Sequence, residues 1–145
     1  MYIVNVEGAI FHGDKWLIIE RSLKEEHAGG TLSFVGGKVE ENEPSSDILE
    51  RTVQREIDEE VGIEIKDQMK YVCSSSFISD DGCRVLNIVF LCEYRSGTPY
   101  CKSTDEVENV YWMSIEEILN HPNSPIWLKE DLVKANNLRE ENHST

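Results

Sequence analysis

The sequence predicts an α+β domain built around a mixed β-sheet. Strand-like runs of apolar and β-branched residues stand on both sides of one long amphipathic helix, and two shorter helices follow near the end of the chain. Strands and helices do not alternate, which argues against a doubly wound parallel sheet. With 145 residues, of which 39% are hydrophobic and 29% charged, the chain is long enough for one well-packed core. We therefore expect a single domain over residues 1–145, in which the polar residues 139–145 form a frayed tail.

The segment before the long helix predicts three strands. Residues Tyr2–Phe11 and Lys15–Arg21 are rich in β-forming residues, and the turn Gly13-Asp14 between them indicates a hairpin. Residues 22–30 are polar and end in two glycines, which is typical of a loop. The short apolar run Thr31–Val35 is expected to be the third strand.

The long helix is predicted to run from Ser46 to Val61. A Ser or Asp within residues 44–47 is expected to be its N-cap, and Gly62 is expected to end it. Apolar side chains recur every four residues and give the helix a buried stripe, which consists of Leu49, Val53, Ile57 and Val61.

The remaining elements are a brief strand, a hairpin, one more strand and two helices. The turn Asp80-Asp81-Gly82 is a strong hairpin signal, and Ser114 forms a capping box with Glu117 at the start of a short helix. The strands are expected at residues 63–65, 70–79, 83–94 and 107–113, and the helices at residues 115–119 and 126–137.

The charge balance excludes several classes of function. With 28 acidic and 14 basic residues, the formal net charge is -14, and a surface of this sign repels nucleic acid polymers. No apolar stretch approaches the ~20 residues of a membrane span, and the first residues lack the pattern of a signal peptide, so we expect a cytoplasmic protein with no membrane contact. The widely spaced cysteines contain no CxxC pair, which argues against zinc: Cys73, Cys83, Cys92 and Cys101.

Three carboxylates on one helix face are the first sign of chemistry. Glu56 lies one turn from both Glu59 and Glu60, and like charges at this spacing destabilise a helix. Mg²⁺ takes oxygen ligands and often binds substrate phosphates as well, so it would turn this repulsion into a binding site. A solvated acidic helix face is the alternative, but the glycine pair Gly36-Gly37 ahead of the helix favours a metal site.

These residues form a motif that resembles the Nudix box. The box consists of a glycine, five residues, a glutamate, a spacer, and then REUxEExGU, where U is aliphatic. Gly37 and Glu43 match the first half, and Arg55–Ile63 match every defined position of the second half. The spacer departs from the pattern, because Pro44–Gln54 contains eleven residues where the family has seven. Four additional residues amount to about one helical turn, which leaves the second half in register but puts the usual contact between Glu43 and Arg55 in question.

The resemblance implies an α/β/α sandwich around a mixed sheet and a hydrolase of nucleoside-diphosphate-linked compounds that uses Mg²⁺ or Mn²⁺. Metal ligands implied by the family are Glu56, Glu59 and Glu60, with the Gly37 carbonyl. Arg55 would orient the glutamates, and Gly36 would allow the loop its tight shape. Glu56 is one candidate for the catalytic base, Glu59 would take part in catalysis with it, and Glu43 and Gly62 would have structural roles in the motif.

Some members of this family take their base from a later loop, which here would supply Asp105 or Glu106, and both remain open. Basic residues at strand ends, Arg21 and Arg84, and Lys38 beside the glycine pair could contact phosphate oxygens. Each of these three is more often a partner in a structural salt bridge.

The expected substrate is a small nucleotide-type diphosphate. A (d)NTP pyrophosphohydrolase is placed ahead of an ADP-ribose or sugar-nucleotide pyrophosphatase, because the chain is compact and has no additional domain. Two alternatives remain: a nucleotide-sensing Nudix module without catalysis, and a diphosphate isomerase of the same fold, which would need Cys73 or Cys83. The resemblance also allows a homodimer.

Overall fold

The computed structural model describes residues 1–25, 28–40 and 45–143. Seven strands and three helices occur within these ranges. In chain order they are β1 (Tyr2–His12), β2 (Lys15–Arg21), β3 (Leu32–Ser33), β4 (Val35–Lys38), α1 (Ile48–Val61), β5 (Glu64–Ile78), β6 (Arg84–Ser96), β7 (Val107–Met113), α2 (Ile115–Leu119) and α3 (Ile126–His143).

The strands form one mixed sheet, as the sequence predicts. Its main path is β3-β2-β1-β6-β5, with β4 paired to β1 and β7 paired to β2. β1 runs parallel to β6 from Tyr2 to Phe11 and antiparallel to β4 and to β2. The predicted β1–β2 hairpin is present at Phe11 and His12, although most of β2 pairs with β7 instead.

Helices cover both faces of this sheet. Alternate residues of a strand point to opposite faces, and Val6 and Ile10 of β1 pack in the same cluster as the α1 stripe. Ala9 and Phe11 point the other way, into a second cluster that includes residues of α2 and α3. The chain therefore has the sandwich of helices around a mixed sheet that its motif implies.

Several boundaries differ from those that the sequence predicts. The expected strand Thr31–Val35 is divided into two strands at Phe34. Before Phe34, β3 pairs with β2, and after Phe34, β4 pairs with β1. The two strands expected at residues 63–65 and 70–79 are one strand, β5, whose pairing with β6 shifts register between Ile65 and Met69. Polar residues at this shift look like a loop in the sequence, but an edge strand accommodates such irregularities without ending.

Both long helices also differ at their ends. α1 begins at Ile48, and Asp47 occupies its N-cap with a φ of 55°. The Asp47 side chain makes no capping hydrogen bond to the helix, so the expected capping contact is absent. α3 continues to His143 and does not end at 137, which carries the helix into the segment expected to fray. Leu138 packs against the second core cluster and the Arg139 guanidinium lies 4.1 Å from the centre of the Phe11 ring, so tertiary contacts extend this helix. Within the described ranges, none of the helices has the length and hydropathy needed to cross a bilayer.

Candidate metal centre

The glycine pair brings the backbone of β4 against α1. Gly36 and Gly37 pair with Glu7 and Val6 of β1, which fixes their position beside the helix. A Cβ atom on Gly37 would lie 2.6 Å from Glu56 Oε1, and a Cβ atom on Gly36 would overlap the Val6 carbonyl oxygen. Only glycine allows so close an approach of backbone to carboxylate.

Arg55 connects this loop to the helix. Its Nη1 atom donates to Glu40 Oε2 at 3.0 Å, and its Nη2 atom donates to the Lys38 carbonyl at 3.1 Å and to Glu56 Oε1 at 3.0 Å. The planar guanidinium therefore holds the Glu56 carboxylate and the end of β4 in one arrangement. Glu43, the predicted partner of Arg55, lies outside the described residues.

Glu40 is a partner that the sequence does not single out. Nothing in the motif distinguishes this acid, and its contact with Arg55 becomes visible only in the fold.

Three carboxylates converge beside this loop. Each of Glu56, Glu60 and Glu106 offers one oxygen, and these oxygens all lie within 4.8 Å of one another. Glu56 is 9% exposed and Glu60 is 4% exposed, whereas Glu106 is open to solvent. Glu60 Oε2 is buried and has no hydrogen-bond partner in the described part of the chain.

The loop before β7 is attached to the end of α1 and carries Glu106 to this cluster. The Lys102 amide donates to the Glu60 carbonyl at 3.1 Å, and Ser103 Oγ donates to Glu106 Oε2 at 3.0 Å. Asp105, the alternative base, is exposed and forms an ion pair with Lys24 at 3.4 Å. Glu106 and not Asp105 is therefore the loop acid that joins the carboxylate cluster.

Burial and mutual repulsion disturb the ionisation of the cluster. Burial raises the pKa of Glu60 to about 9, with further contributions from the neighbouring Glu56 and Glu106 carboxylates. Burial also raises the pKa of Glu56, although the Arg55 guanidinium opposes the change. Without a counter-charge, this site therefore retains a proton where free glutamates would be ionised.

The cluster suits a hard divalent cation. Its carboxylate oxygens come from α1 and from the loop before β7, and one buried oxygen, Glu60 Oε2, has no hydrogen-bond partner among the described residues. Gly37 has no side chain that would occupy the space beside the Glu56 carboxylate. Mg²⁺ and Mn²⁺ prefer such oxygen ligands, and a cation would compensate the charge that burial and repulsion disfavour.

The other predicted site residues differ in how close they lie to the carboxylate cluster. Glu59 is exposed and does not belong to the group of three, so its role as a ligand stays a prediction, as does that of the Gly37 carbonyl. Arg21 ends β2, and its charge lowers the pKa of Glu60, which places it near the cluster. Lys38 is exposed beside the loop. Arg84 begins β6 and pairs with Tyr2 of β1. Tyr2 lies about 13 Å along β1 from Val6, the residue that pairs with Gly37, so Arg84 is distant from the glycine pair.

Gly62 ends α1 as predicted. Its φ is 69°, and its amide donates to the carbonyls of Ile57 and Asp58 at the end of the helix. A Cβ atom at this position would lie 2.5 Å from Tyr100 Cε1, so both conformation and space favour glycine here.

Cys73, one of the two cysteines that an isomerase could use, shows no sign of activation. Cys73 donates a hydrogen bond to Asp131, and burial raises its pKa to about 12, whereas reactive thiols have lowered pKa values. Cys83 lies at the turn between β5 and β6.

Solved structures of MutT and NUDIX proteins share this fold. The chain is similar to a MutT NUDIX hydrolase from Burkholderia pseudomallei, with 28% identity, a TM-score of 0.77, and coverage of 92% of this chain and 98% of that one. The MutT protein from Methanosarcina mazei Go1 shares 23% identity at a TM-score of 0.77, over 96% of each chain. The NUDIX domain of Shewanella oneidensis NrtR, solved with ADP ribose, shares 16% identity at a TM-score of 0.76, over 96% of this chain and 89% of that one.

The NUDIX domain profile matches residues 1–132, and the chain belongs to this family of hydrolases. Among curated protein sequences, none matches the chain.

Proposed function

We propose that this protein hydrolyses the diphosphate bond of a nucleotide-type compound with Mg²⁺ or Mn²⁺ as its cofactor. The observation that carries the proposal is the convergence of the Glu56, Glu60 and Glu106 oxygens within 4.8 Å, where one buried oxygen has no partner in the described part of the chain. The first substrate class is a (d)NTP, and the second is ADP-ribose or a sugar nucleotide.

The chain's own residues divide the work between holding the cation and orienting the reactants. Glu56 and Glu60 would hold the cation, with Glu59 and the Gly37 carbonyl as further ligands, and Glu106 beside them would remain available to the reacting water. When bound, the cation neutralises charge on the phosphate oxygens and activates water for attack on phosphorus. Arg55 keeps the Glu56 carboxylate in place, because its contacts connect that carboxylate to the Lys38 carbonyl.

The catalytic base is then an acid that is both close to the cluster and open to the substrate. Glu106 meets both conditions, Glu56 meets the first, and Asp105 is directed to Lys24. Basic side chains would contact the phosphate oxygens of the substrate. Arg21 is the first candidate, and Lys38 and Arg84 are the others. Gly36, which has no side chain, would leave space for the phosphates beside the loop.

A substrate panel tests the proposal. The purified protein is incubated with nucleoside triphosphates, ADP-ribose and sugar nucleotides, with Mg²⁺ or Mn²⁺ or with a chelator, and the phosphorus products are followed by NMR. We expect metal-dependent release of a nucleoside monophosphate and pyrophosphate from at least one triphosphate. Tight binding of a nucleotide without turnover would favour the sensing module, and neither binding nor turnover of any compound would overturn the proposal.

Variants of the two loop acids identify the base. Glu106→Gln should lower kcat by about 10²- to 10⁴-fold, the usual effect of losing a general base, while Asp105→Asn should keep most of the activity. The two changes are matched, since each replaces one exposed carboxylate by its amide in the same loop. Equal losses in both variants would remove Glu106 from this role.

The proposal also covers the domain organisation, the cellular location and the oligomeric state of the protein. We infer that residues 1–145 act as one domain, that the protein works in the cytoplasm, and that it forms a homodimer. Limited proteolysis, cell fractionation and sedimentation are the respective measurements, and none of them depends on knowing the substrate.

A further inference from the structure

A cleft of about 400 Å³ lies at the C-terminal end of β1. Its lining includes His12 at the end of β1, Lys66 in the first part of β5, and Arg139 in the last turns of α3. His12 is six residues from Val6, the residue that pairs with Gly37, which corresponds to about 20 Å along the strand. None of the described residues that line the cleft belongs to the carboxylate cluster, and its volume is typical of a small-molecule site.

Three neighbouring strands form one side of this cleft. Phe11 of β1 pairs with Glu93 of β6, and β6 pairs in turn with β5. The pairing of β5 with β6 shifts register between Ile65 and Met69, and such irregularities change the direction of side chains along a strand. Lys66 lies within this shift and forms an ion pair with Glu93. The irregular part of β5 therefore contributes a basic side chain to the cleft.

Arg139 lines the opposite side, where α3 packs on the sheet. Its guanidinium lies 4.1 Å from the centre of the Phe11 ring and 6.0 Å from that of the Trp16 ring, and both contacts hold it in place. Nε of Arg139 is buried and has no hydrogen-bond partner in the described part of the chain. Buried polar groups in proteins nearly always have such a partner, so this guanidinium has donor capacity that the described residues do not use.

The cleft concentrates positive charge on an acidic chain. Its described lining contains three basic residues, Lys66, Arg95 and Arg139, and one carboxylate, Glu93, whereas the whole chain has twice as many acidic as basic residues. Arg95 contacts Asp67 at 3.9 Å, and both side chains are exposed. An exposed ion pair at this distance is weak and opens at little cost. Two guanidinium groups are therefore accessible to an anion in the cleft.

We propose that this cleft is a second ligand site, which binds a compound with a diphosphate or longer phosphate chain and needs no divalent metal to do so. The planar fork of a guanidinium donates two parallel hydrogen bonds to phosphate oxygens, and two arginines in one cleft suit a ligand with more than one phosphate group. The carboxylate cluster differs in this respect, because its own charge repels phosphates unless a cation is bound there. The second site is independent of the proposed hydrolysis.

Inorganic pyrophosphate is the probe, with a chelator present to remove divalent metal. Calorimetric titration should show saturable binding to the unaltered protein, and the affinity should fall as ionic strength rises. In NMR spectra, the amide signals of residues 11–13, 93–95 and 139 should shift during the titration, whereas those of residues 36–38 and 56–60 should not. Shifts confined to the last two ranges would place pyrophosphate at the carboxylate cluster and overturn the proposal.

Substitution of Arg139 tests the central contact. Arg139→Gln should lower the affinity for pyrophosphate by about tenfold or more, the usual effect of losing hydrogen bonds from a charged group. Arg139→Lys should have an intermediate affinity, because an ammonium retains the charge but not the planar fork. Lys134→Gln is the control, since it removes one positive charge at an exposed position of the same helix outside the cleft, and it should bind as the unaltered protein does.

A second variant separates binding from the packing of α3. Arg139 contacts the Phe11 ring, whereas Arg95 is exposed, so Arg95→Gln should lower the affinity several-fold without a change in thermal stability. An absence of saturable binding to the unaltered protein, or equal affinities in Arg139→Gln, Arg95→Gln and Lys134→Gln, would overturn the proposal. Because neither metal nor turnover is measured, the result does not depend on whether the protein hydrolyses nucleotides.

Discussion

Replacing Glu60 by glutamine should remove much of the pH dependence of the free energy of unfolding. Burial and the neighbouring carboxylates raise the pKa of Glu60 from the ordinary 4.5 to about 9. Between these two values the folded protein holds a proton that the unfolded chain releases. The stability contributed by this proton is complete below the unfolded pKa and is lost as pH rises towards the folded one.

The size of this change in the free energy of unfolding follows from the single proton that Glu60 holds. Where the folded state binds one more proton than the unfolded state, stability falls by about 1.4 kcal/mol for each pH unit. Between about pH 6 and about pH 8 the unaltered protein should therefore lose about 3 kcal/mol through Glu60. Burial also raises the pKa of Glu7, to about 7, but Glu7 acts in both proteins and largely cancels in the comparison.

Urea denaturation at several pH values, without divalent metal, measures this difference. Glu60→Gln should have the flatter curve, whereas Glu64→Gln, at the exposed start of β5, should follow the unaltered protein. A saturating cation should restore stability to the unaltered protein at the higher pH, by about 2.7 kcal/mol at a hundredfold excess over Kd, and much less to Glu60→Gln. Parallel curves for all three proteins would refute the assignment of a buried, protonated Glu60.

Two further substitutions address the loop. Gly37→Ala should weaken Mg²⁺ binding by about tenfold or more, because its methyl group collides with the Glu56 carboxylate, and Mg²⁺ titration of thermal stability measures the loss. Unchanged affinity would mean that the loop moves away at little cost. Arg55→Lys should lower kcat by about 10- to 100-fold with a smaller effect on KM, since an ammonium cannot reproduce the planar contacts to Glu40, Lys38 and Glu56. Full activity in Arg55→Lys would show that a positive charge at this position is enough, without the planar contacts of the guanidinium.

Local patterns account for the parts of the fold that the sequence predicts well. The buried stripe of α1, the glycine that ends it and the capping box at Ser114 all depend on residues within a few positions of one another. The pairing of β1 with β6 joins residues such as Asn5 and Asn87, which are 82 positions apart, and no local pattern specifies that contact. For the same reason the sequence predicts a mixed sheet but not its strand order.

The site residues also differ in how far local sequence patterns predict them. Glu56 and Glu60 follow from their helical spacing, which the fold preserves. Glu106 and Asp105 are neighbours in a loop, and their sequence context is equivalent. Only the hydrogen bond from Ser103 and the ion pair to Lys24 separate them. Periodicity brings both Glu59 and Glu60 within one turn of Glu56, but tertiary contacts decide that Glu60 and Glu106, and not Glu59, form the described cluster with it.

A proton and a cation compete for the same oxygens at Glu60. Because burial raises its pKa to about 9, the metal-free site holds a proton near neutral pH, and a cation bound through Glu60 must displace it. Cation binding should therefore release about one proton at pH 7, and affinity should rise by about tenfold for each pH unit below the pKa. Calorimetry in two buffers of different ionisation enthalpy measures the proton count directly. Glu60→Gln should release much less than one proton, and a count near zero for the unaltered protein would contradict a buried, protonated Glu60 as the ligand.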